Sequence, residues 1–496
     1  MATSTIPDEI RLQCDIEVDF IVSELERFHT LAISEASFNE RFGEGLSAVL
    51  ELSADIPHPA SNRNVTCGRE ALRRFHKISK ILIGHRSDAN DWDSEALSER
   101  LRATFLRYLF AEGVKNSGDI LEPWLTAGLS YVRARHRPSS HYLPCVALQI
   151  GQQNTYTFGP ITFKRKELFF QEARQAFLSY EGARQRLSER ARRNAAPGLQ
   201  WCWKDDRGNR SKSIEEMYAE FTEGADWIAI IRVPRSDFTV AAKRAEQALR
   251  VALSAQTLLL QGTKGAGLRL AQDPFTPTRR NSMRSTGKGM FRPSSSWTFG
   301  GPKAGEEWQA YLETHAKPVL SIIHQIIEQT LTGQLMPYGF RIATRAVSWY
   351  ADAVRDPNPE TRLIKCATAV ECLVFPERGK ATSTFVIRGA MLAQRKESPM
   401  KHWAEVAYRL YNRRSAVAHG DLETLQAFRG NSTNEALEFT RNVVLQFLAL
   451  CVQPIEIRKQ GTKEDFLEIY RRCEAGFNKE IQDIVNTYRF NKWKVV

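Results

Sequence analysis

The chain has 496 residues, of which 42% are apolar and 25% charged; these proportions fit a folded protein with buried apolar cores and exclude a largely disordered one. At roughly 100–200 residues per domain the length predicts two to four units. The formal net charge of +12 is concentrated, since residues 183–213 carry nine Lys or Arg against three Asp or Glu and residues 278–303 carry six against none, so the remainder is balanced and the two windows read either as sites for a polyanionic partner or as solvated loops of a basic protein.

Eight cysteines (Cys14, Cys67, Cys145, Cys202, Cys366, Cys372, Cys451 and Cys473) form no CxxC pair and no Cys/His cluster. They read as buried thiols in a reducing compartment, with neither a zinc site nor a disulfide framework. The N-terminus lacks a basic segment followed by an apolar core, and the longest nearly apolar run, "VVLQFLALCV" at 443–452, is about half of what a bilayer requires. A cytoplasmic protein with no membrane segment is expected.

In chain order, apolar spacing of helical type predicts helices within 8–52, interrupted by the Pro/Asn/Ser-rich "DIPHPASNRN", and again within 69–88 and 95–136. "LPCVALQIGQQNTYTFGPITFKRK" at 143–166 reads as hairpin strands, and a polar helix follows over about 167–195. "DWIAIIRVP" at 226–234 is the best single strand candidate. It leads into an Ala/Leu-rich helix closed by Gly262. The Gly- and Pro-containing stretch 262–304 predicts irregular chain or loose short strands. Beyond it lie candidate helices at 305–332, 340–354, 361–375, 382–395, 400–419 and 431–452, with two more between 462 and 490. The fold class is therefore mainly α with a mixed α/β middle region and a C-terminal helical bundle. The predicted domains are a helical N-terminal domain (1–140), a mixed α/β domain with basic loops (141–304), a helical domain (305–455) and a helical extension (456–496).

Several motifs fail on spacing. "GTKGAG" (262–267) and "STGKGM" (285–290) lack the P-loop pattern and read as linkers. "HRSDANDWDSE" (85–95) has no calcium-loop or metalloprotease arrangement and reads as a polar connection. His315 and His324 read as packed or surface histidines, and "WCWK" (201–204) as two packed tryptophans with base stacking as the functional alternative.

"RLYNRRSAVAHGD" at 409–421 has two readings, a catalytic one and that of a basic helix C-terminus whose His and Gly serve capping alone. The helix should end near Gly420, which favours the left-handed cap conformation, and His419 then lies in the last turn, where the helix dipole favours the imidazolium. Arg414 stands five residues earlier, about 7–8 Å along the axis and about 140° around it, so it converges with His419 on one phosphate by wrapping its side chain toward the helix end. Asn412 and Ser415 share the histidine's face more directly. Arg413 is expected to be solvated at the surface, with phosphate binding or holding a facing helix as the alternatives.

The stretch "YNRRSAVAHG" resembles the Rx4–6H signature of the HEPN superfamily, in its Apea-like branch, whose ending has the form Tyr-x-x-Arg-Ser-x-x-x-His-Gly. Upstream, "AVSWYADAV" (346–354) and "RLIKCATAVECLVFPE" (362–377) resemble that branch's paired helices, with Glu371 in the acid position, and "FVIRGAMLA" (385–393) the intervening helix, with Arg388 as its basic residue. The resemblance spans about 305–455. Ser415 stands where many HEPN proteins carry Asn, His or Asp.

The resemblance implies a HEPN-type bundle and a metal-independent endoribonuclease needing no cofactor, with Arg414 and His419 catalytic and Asn412, Arg413, Ser415 and Glu371 supporting. RNA supplies its own nucleophile, the 2′-OH. His419 acts as base or acid and Arg414 stabilises the phosphorane-like transition state, giving a 2′,3′-cyclic phosphate and a 5′-hydroxyl. One motif supplies one histidine, so a homodimer pairing two such helices is implied. The family's association with antiphage defence and abortive infection implies a toxin restrained or triggered by the first 300 residues, a phage-derived trigger or an antitoxin. Arg192 and Arg193 in the first basic window and Arg279, Arg280, Arg284 and Lys288 in the second are candidate RNA contacts. Some HEPN members are inactive helical modules, so a non-catalytic module that binds RNA or a protein partner is the alternative.

Overall fold

The computed structural model describes residues 6–33, 53–57, 64–109, 117–172, 214–260, 264–271, 273, 280–285, 291–296, 302–375, 379–395, 399–419, 432–451 and 462–488. These residues are mainly helical, with a small antiparallel sheet in the middle of the chain. They form two compact units, one of residues 1–139 with 233–244 and one of residues 140–232 with 245–496.

The first unit contains α1 (Asp8–Ile33), a hairpin of β1 (Ser53–Pro57) and β2 (Asn64–Gly68), then α2 (Arg69–Gly84), α3 (Ser94–Leu109) and α4 (Ser117–Arg135). On α1, Ile10, Cys14, Val18, Ile21 and Leu25 recur at helical spacing and are all buried. They join Phe75 and Ile78 of α2, Leu97, Leu101 and Phe105 of α3, and Trp124 and Leu125 of α4 in one core. Phe75, Phe105 and Trp124 meet edge-on, with centroids 5.1–6.1 Å apart, and the Trp124 indole donates to the Leu101 carbonyl at 3.1 Å. The buried carboxylate of Glu17 is compensated by Arg74 at 2.8 Å and Lys77 at 2.5 Å. Two strands flank the Pro/Asn/Ser-rich break, where only an interruption was expected; the extended pairing of Ala54–Pro57 with Asn64–Cys67 satisfies backbone groups that no helix takes up.

In the second unit, five strands run in the order β5 (Thr155–Phe158), β6 (Ile161–Arg165), β7 (Trp227–Ser236), β3 (Arg137–Val146) and β8 (Arg269–Leu270), the last residues of β7 and the first of β3 belonging to the first unit. Trp227, Ile228, Ala229 and Ile231 are buried, as a central strand with both faces covered requires. Two-residue β4 (Gln149–Ile150) pairs with β11 (Lys303–Ala304), and β9 (Arg280–Ser285) with β10 (Phe291–Ser296), so the stretch 262–304 does hold short strands. Short α5 (Ile214–Phe221) precedes β7, and α6 (Phe238–Leu259) follows it. Residues 166–172 are helical; the rest of the expected polar helix, and Gly262, lie outside the described residues.

The bundle comprises α7 (Trp308–His315), α8 (Lys317–Thr332), α9 (Tyr338–Arg355), α10 (Pro359–Val374), α11 (Ala381–Ala393), α12 (Met400–His419), α13 (Ser432–Leu450), α14 (Lys463–Gly476) and α15 (Asn478–Tyr488). The single helix expected over 305–332 is two, separated at Ala316. Pro318 lacks the backbone N–H that a continuous helix needs and fits the first turn of a new one. Asn358 caps α10, its side chain accepting from the Glu360 N–H at 2.8 Å, and Thr462 and Asp465 form a capping box on α14. Helices α9 and α10 pack along each other, and α13 packs against both. Among the described residues no helix is long and apolar enough to cross a membrane.

Candidate functional site

Helix α12 positions the motif. Leu410 and Ala416 are buried and anchor it in the bundle, while Asn412, Arg413, Arg414 and Ser415 are each half-buried. The Tyr411 ring rests against Phe385 of α11, centroids 5.1 Å apart. Arg414 reaches α10, where its Nη2 lies 3.4 Å from Oε2 of Glu371. The structure thus brings together two of the residues singled out from the sequence.

The environment of that pair is unequal. Burial holds the Glu371 carboxyl above its usual range, and the Arg414 guanidinium opposes the shift without cancelling it. Arg414 is 36% exposed against 21% for Glu371, so the acid is the more enclosed partner. The remaining guanidinium donors of Arg414 have no partner among the described residues. A fork held at one corner, with no further partner among the described residues, suits the recognition of an oxyanion.

Arg413 departs from its expected solvation. It is half-buried and borders a packing groove with Leu363, Val406, Leu410 and Glu435. Burial lowers its pKa, with Glu360 opposing. The two adjacent arginines point apart because successive helical residues are rotated by about 100°, so Arg414 meets Glu371 while Arg413 lies on the side of Glu360.

His419 is the last residue of α12 as described; its side chain, and Gly420, lie outside the described residues. The same holds for Arg192, Arg193, Arg279 and Lys288, while for Arg280 and Arg284 only the backbone of β9 is described. "WCWK" and most of "STGKGM" also lie outside.

Arg388 has a role that the sequence did not announce. Although basic, it is 4% exposed. Its Nη1 donates to the carbonyls of Val374 and Phe375 at 3.1 and 3.2 Å, and its Nε to Glu474 at 2.9 Å. It therefore satisfies the C-terminal end of α10, one turn beyond Glu371. Phe375 adopts a left-handed backbone with φ of 49°, a conformation costly for a bulky residue unless its surroundings hold it. Arg388 and the neighbouring rings of Tyr338, Phe466 and Tyr470 do so.

The rejected motifs also find places. "GTKGAG" was read as a linker, yet its last four residues form a 3-10 turn in which Gly265 is buried against Thr257. In "HRSDANDWDSE", Arg86 pairs with Asp88 at 2.8 Å and Asp91 with Arg244 at 2.9 Å. His324 is packed against Phe158. Cys14, Cys145, Cys366 and Cys451 are buried free thiols, whereas Cys372 and Cys473 are only half-buried. Among the described residues no group of three or more His, Cys, Asp or Glu side chains is placed to hold a metal ion.

No family model, curated protein or solved structure matches this chain.

Proposed function

We propose that the chain is a metal-independent endoribonuclease of HEPN type, acting as a regulated effector in antiphage defence. The observation that carries this reading is Arg414, held by Glu371 at 3.4 Å and with no other partner among the described residues, on a helix whose last described residue is His419. In the proposed reaction His419 takes the proton of the 2′-OH, the 2′-oxygen attacks the adjacent phosphorus, and the P–O5′ bond breaks. An acid returns a proton to the departing 5′-oxygen, and Arg414 stabilises the charge that builds on the non-bridging oxygens. A second copy of α12 in a homodimer supplies the acid. The first unit restrains the site until a trigger binds or an antitoxin is lost.

The test uses single-stranded RNA in the presence of EDTA. Wild type is expected to yield cyclic-phosphate ends, and His419→Ala to lower the rate by about 10²–10⁴. Arg414→Lys is expected not to rescue Arg414→Ala, because an ammonium lacks the planar fork. Equal cleavage by wild type and both alanine variants would sink this reading of Arg414 and His419, and no cleavage by wild type under any trigger would leave a non-catalytic module that binds RNA or a protein partner.

A further inference from the structure

Helix α9 shows a sharp division between its faces. Phe340, Ala343, Val347, Tyr350 and Val354 are buried toward α10 and its neighbours. On the opposite side, Arg341, Arg345 and Trp349 follow one another at intervals of four residues. They form a single stripe, with successive members about 6 Å apart along the axis. Both arginines are exposed, and the Trp349 ring, a large apolar group on an otherwise well-patterned helix, is 38% exposed.

These two arginines differ from others of the same bundle. Arg355, Arg388, Arg409 and Arg414 each have a carboxylate partner, namely Asp352, Glu474, Glu435 and Glu371. Neither Arg341 nor Arg345 has an acidic partner among the described residues; Arg341 instead lies 5.7 Å from the centroid of the Tyr338 ring. The stripe therefore carries positive charge that no carboxylate among the described residues pairs with. Its position matters as well. The helix that carries the stripe packs directly against α10, from which Glu371 reaches Arg414.

We propose that the Arg341–Arg345–Trp349 face of α9 is a binding track for single-stranded RNA, on the helix that packs against the one bearing Glu371, an inference that rests on the RNA-directed reading above. The arginines neutralise backbone phosphates and Trp349 stacks on a base. A single strand fits better than a duplex because a protruding indole needs an unstacked base to lie against, and bases within a duplex are not free to provide one. Stacking is tolerant of base identity, so the track supplies affinity and direction without strict sequence preference.

Full-length protein carrying His419→Ala, which prevents turnover from obscuring binding, is titrated with oligouridine and oligoadenosine over a range of salt. Arg341→Ala with Arg345→Ala is expected to reduce the slope of log K against log salt by about 1.4, at roughly 0.7 per lost single-strand phosphate contact. Trp349→Ala is expected to weaken binding roughly 5- to 100-fold, and Trp349→Phe to stay near the parent. Far-UV spectra identical to the parent's establish that these exposed substitutions leave the fold intact. Unchanged affinity and slope in all three variants overturn the track, and so does a parent that binds neither oligonucleotide. If the variants bind as the parent does while His419→Ala alone abolishes cleavage, the track falls and the nuclease reading stands. If RNA binds through this face and wild type never cleaves it, the track stands and the nuclease reading falls.

Discussion

Glu371 is held between two opposing forces. Burial disfavours its charged form and Arg414 favours it, with burial the larger. A carboxyl whose folded pKa lies above its unfolded value contributes stability that is full below the unfolded pKa, about 4.3, and is lost as pH rises through the folded value. Glu371→Gln fixes the uncharged form, so its melting temperature relative to wild type is expected to rise with pH across that window. A difference that stays flat with pH would show that burial does not govern this carboxyl. Arg388 is a residue of the opposite kind, since its charge is enclosed and its donors are committed to Val374, Phe375 and Glu474. Arg388→Met is expected to destabilise the bundle by about 2–3 kcal/mol, measured by denaturant titration, because it strips two helix-end carbonyls of their donor and leaves Glu474 without its partner. The motif spacing separated Arg414 from Arg388 but said nothing of what either guanidinium touches. Both are arginines within apolar helical patterns, and only the fold shows that one closes a helix end while the other meets Glu371 alone among the described residues.

Helices were legible in the sequence wherever apolar periodicity and end signals agreed. The spacing of α9 to α13 comes from side chains that must share one face, and Pro359, Asn358 and Gly333 mark ends by conformations they favour or refuse. Where one signal contradicts the periodicity, the local backbone decides, as Pro318 does in splitting α7 from α8. The 3-10 turn Lys264–Gly267 was not legible, because its reason lies in the distant Thr257. A Cβ on Gly265 would stand 2.7 Å from the Thr257 Cα, a backbone-level clash. Gly265→Ala is therefore expected to cost about 1–3 kcal/mol, detectable as a lower midpoint of unfolding, whereas Gly84→Ala, with open space around the added carbon, is expected not to lower it. Equal effects at the two positions would remove close approach as the explanation.

The whole molecule is organised by two units whose boundary the linear order conceals. A helical N-terminal domain was expected to close near residue 140, yet residues 233–244 also belong to the first unit. Within that unit Arg244, 7% exposed, donates to Asp91 Oδ1 and to the Asn90 carbonyl, both at 2.9 Å, and the Asp237 N–H donates to the Asp91 carbonyl at 2.9 Å. Arg244→Ala is expected to destabilise the first unit by about 2–3 kcal/mol and to speed hydrogen exchange in the 86–92 segment. A fragment ending at residue 140 is expected to show the same weakness. Exchange at wild-type rates in both would mean that residues 233–244 contribute nothing to this unit. By itself the sequence determined the predominance of helix, the place of the central strand and the Arg414/His419 spacing, because periodicity, strand composition and motif order are properties of neighbouring residues. Only the tertiary structure decided that Glu371 meets Arg414, that Arg413 turns away from it, that Arg388 is a buried fastener and that residues far along the chain complete the first unit. Those outcomes depend on which helix faces meet, and contacts between distant residues leave no trace in local spacing.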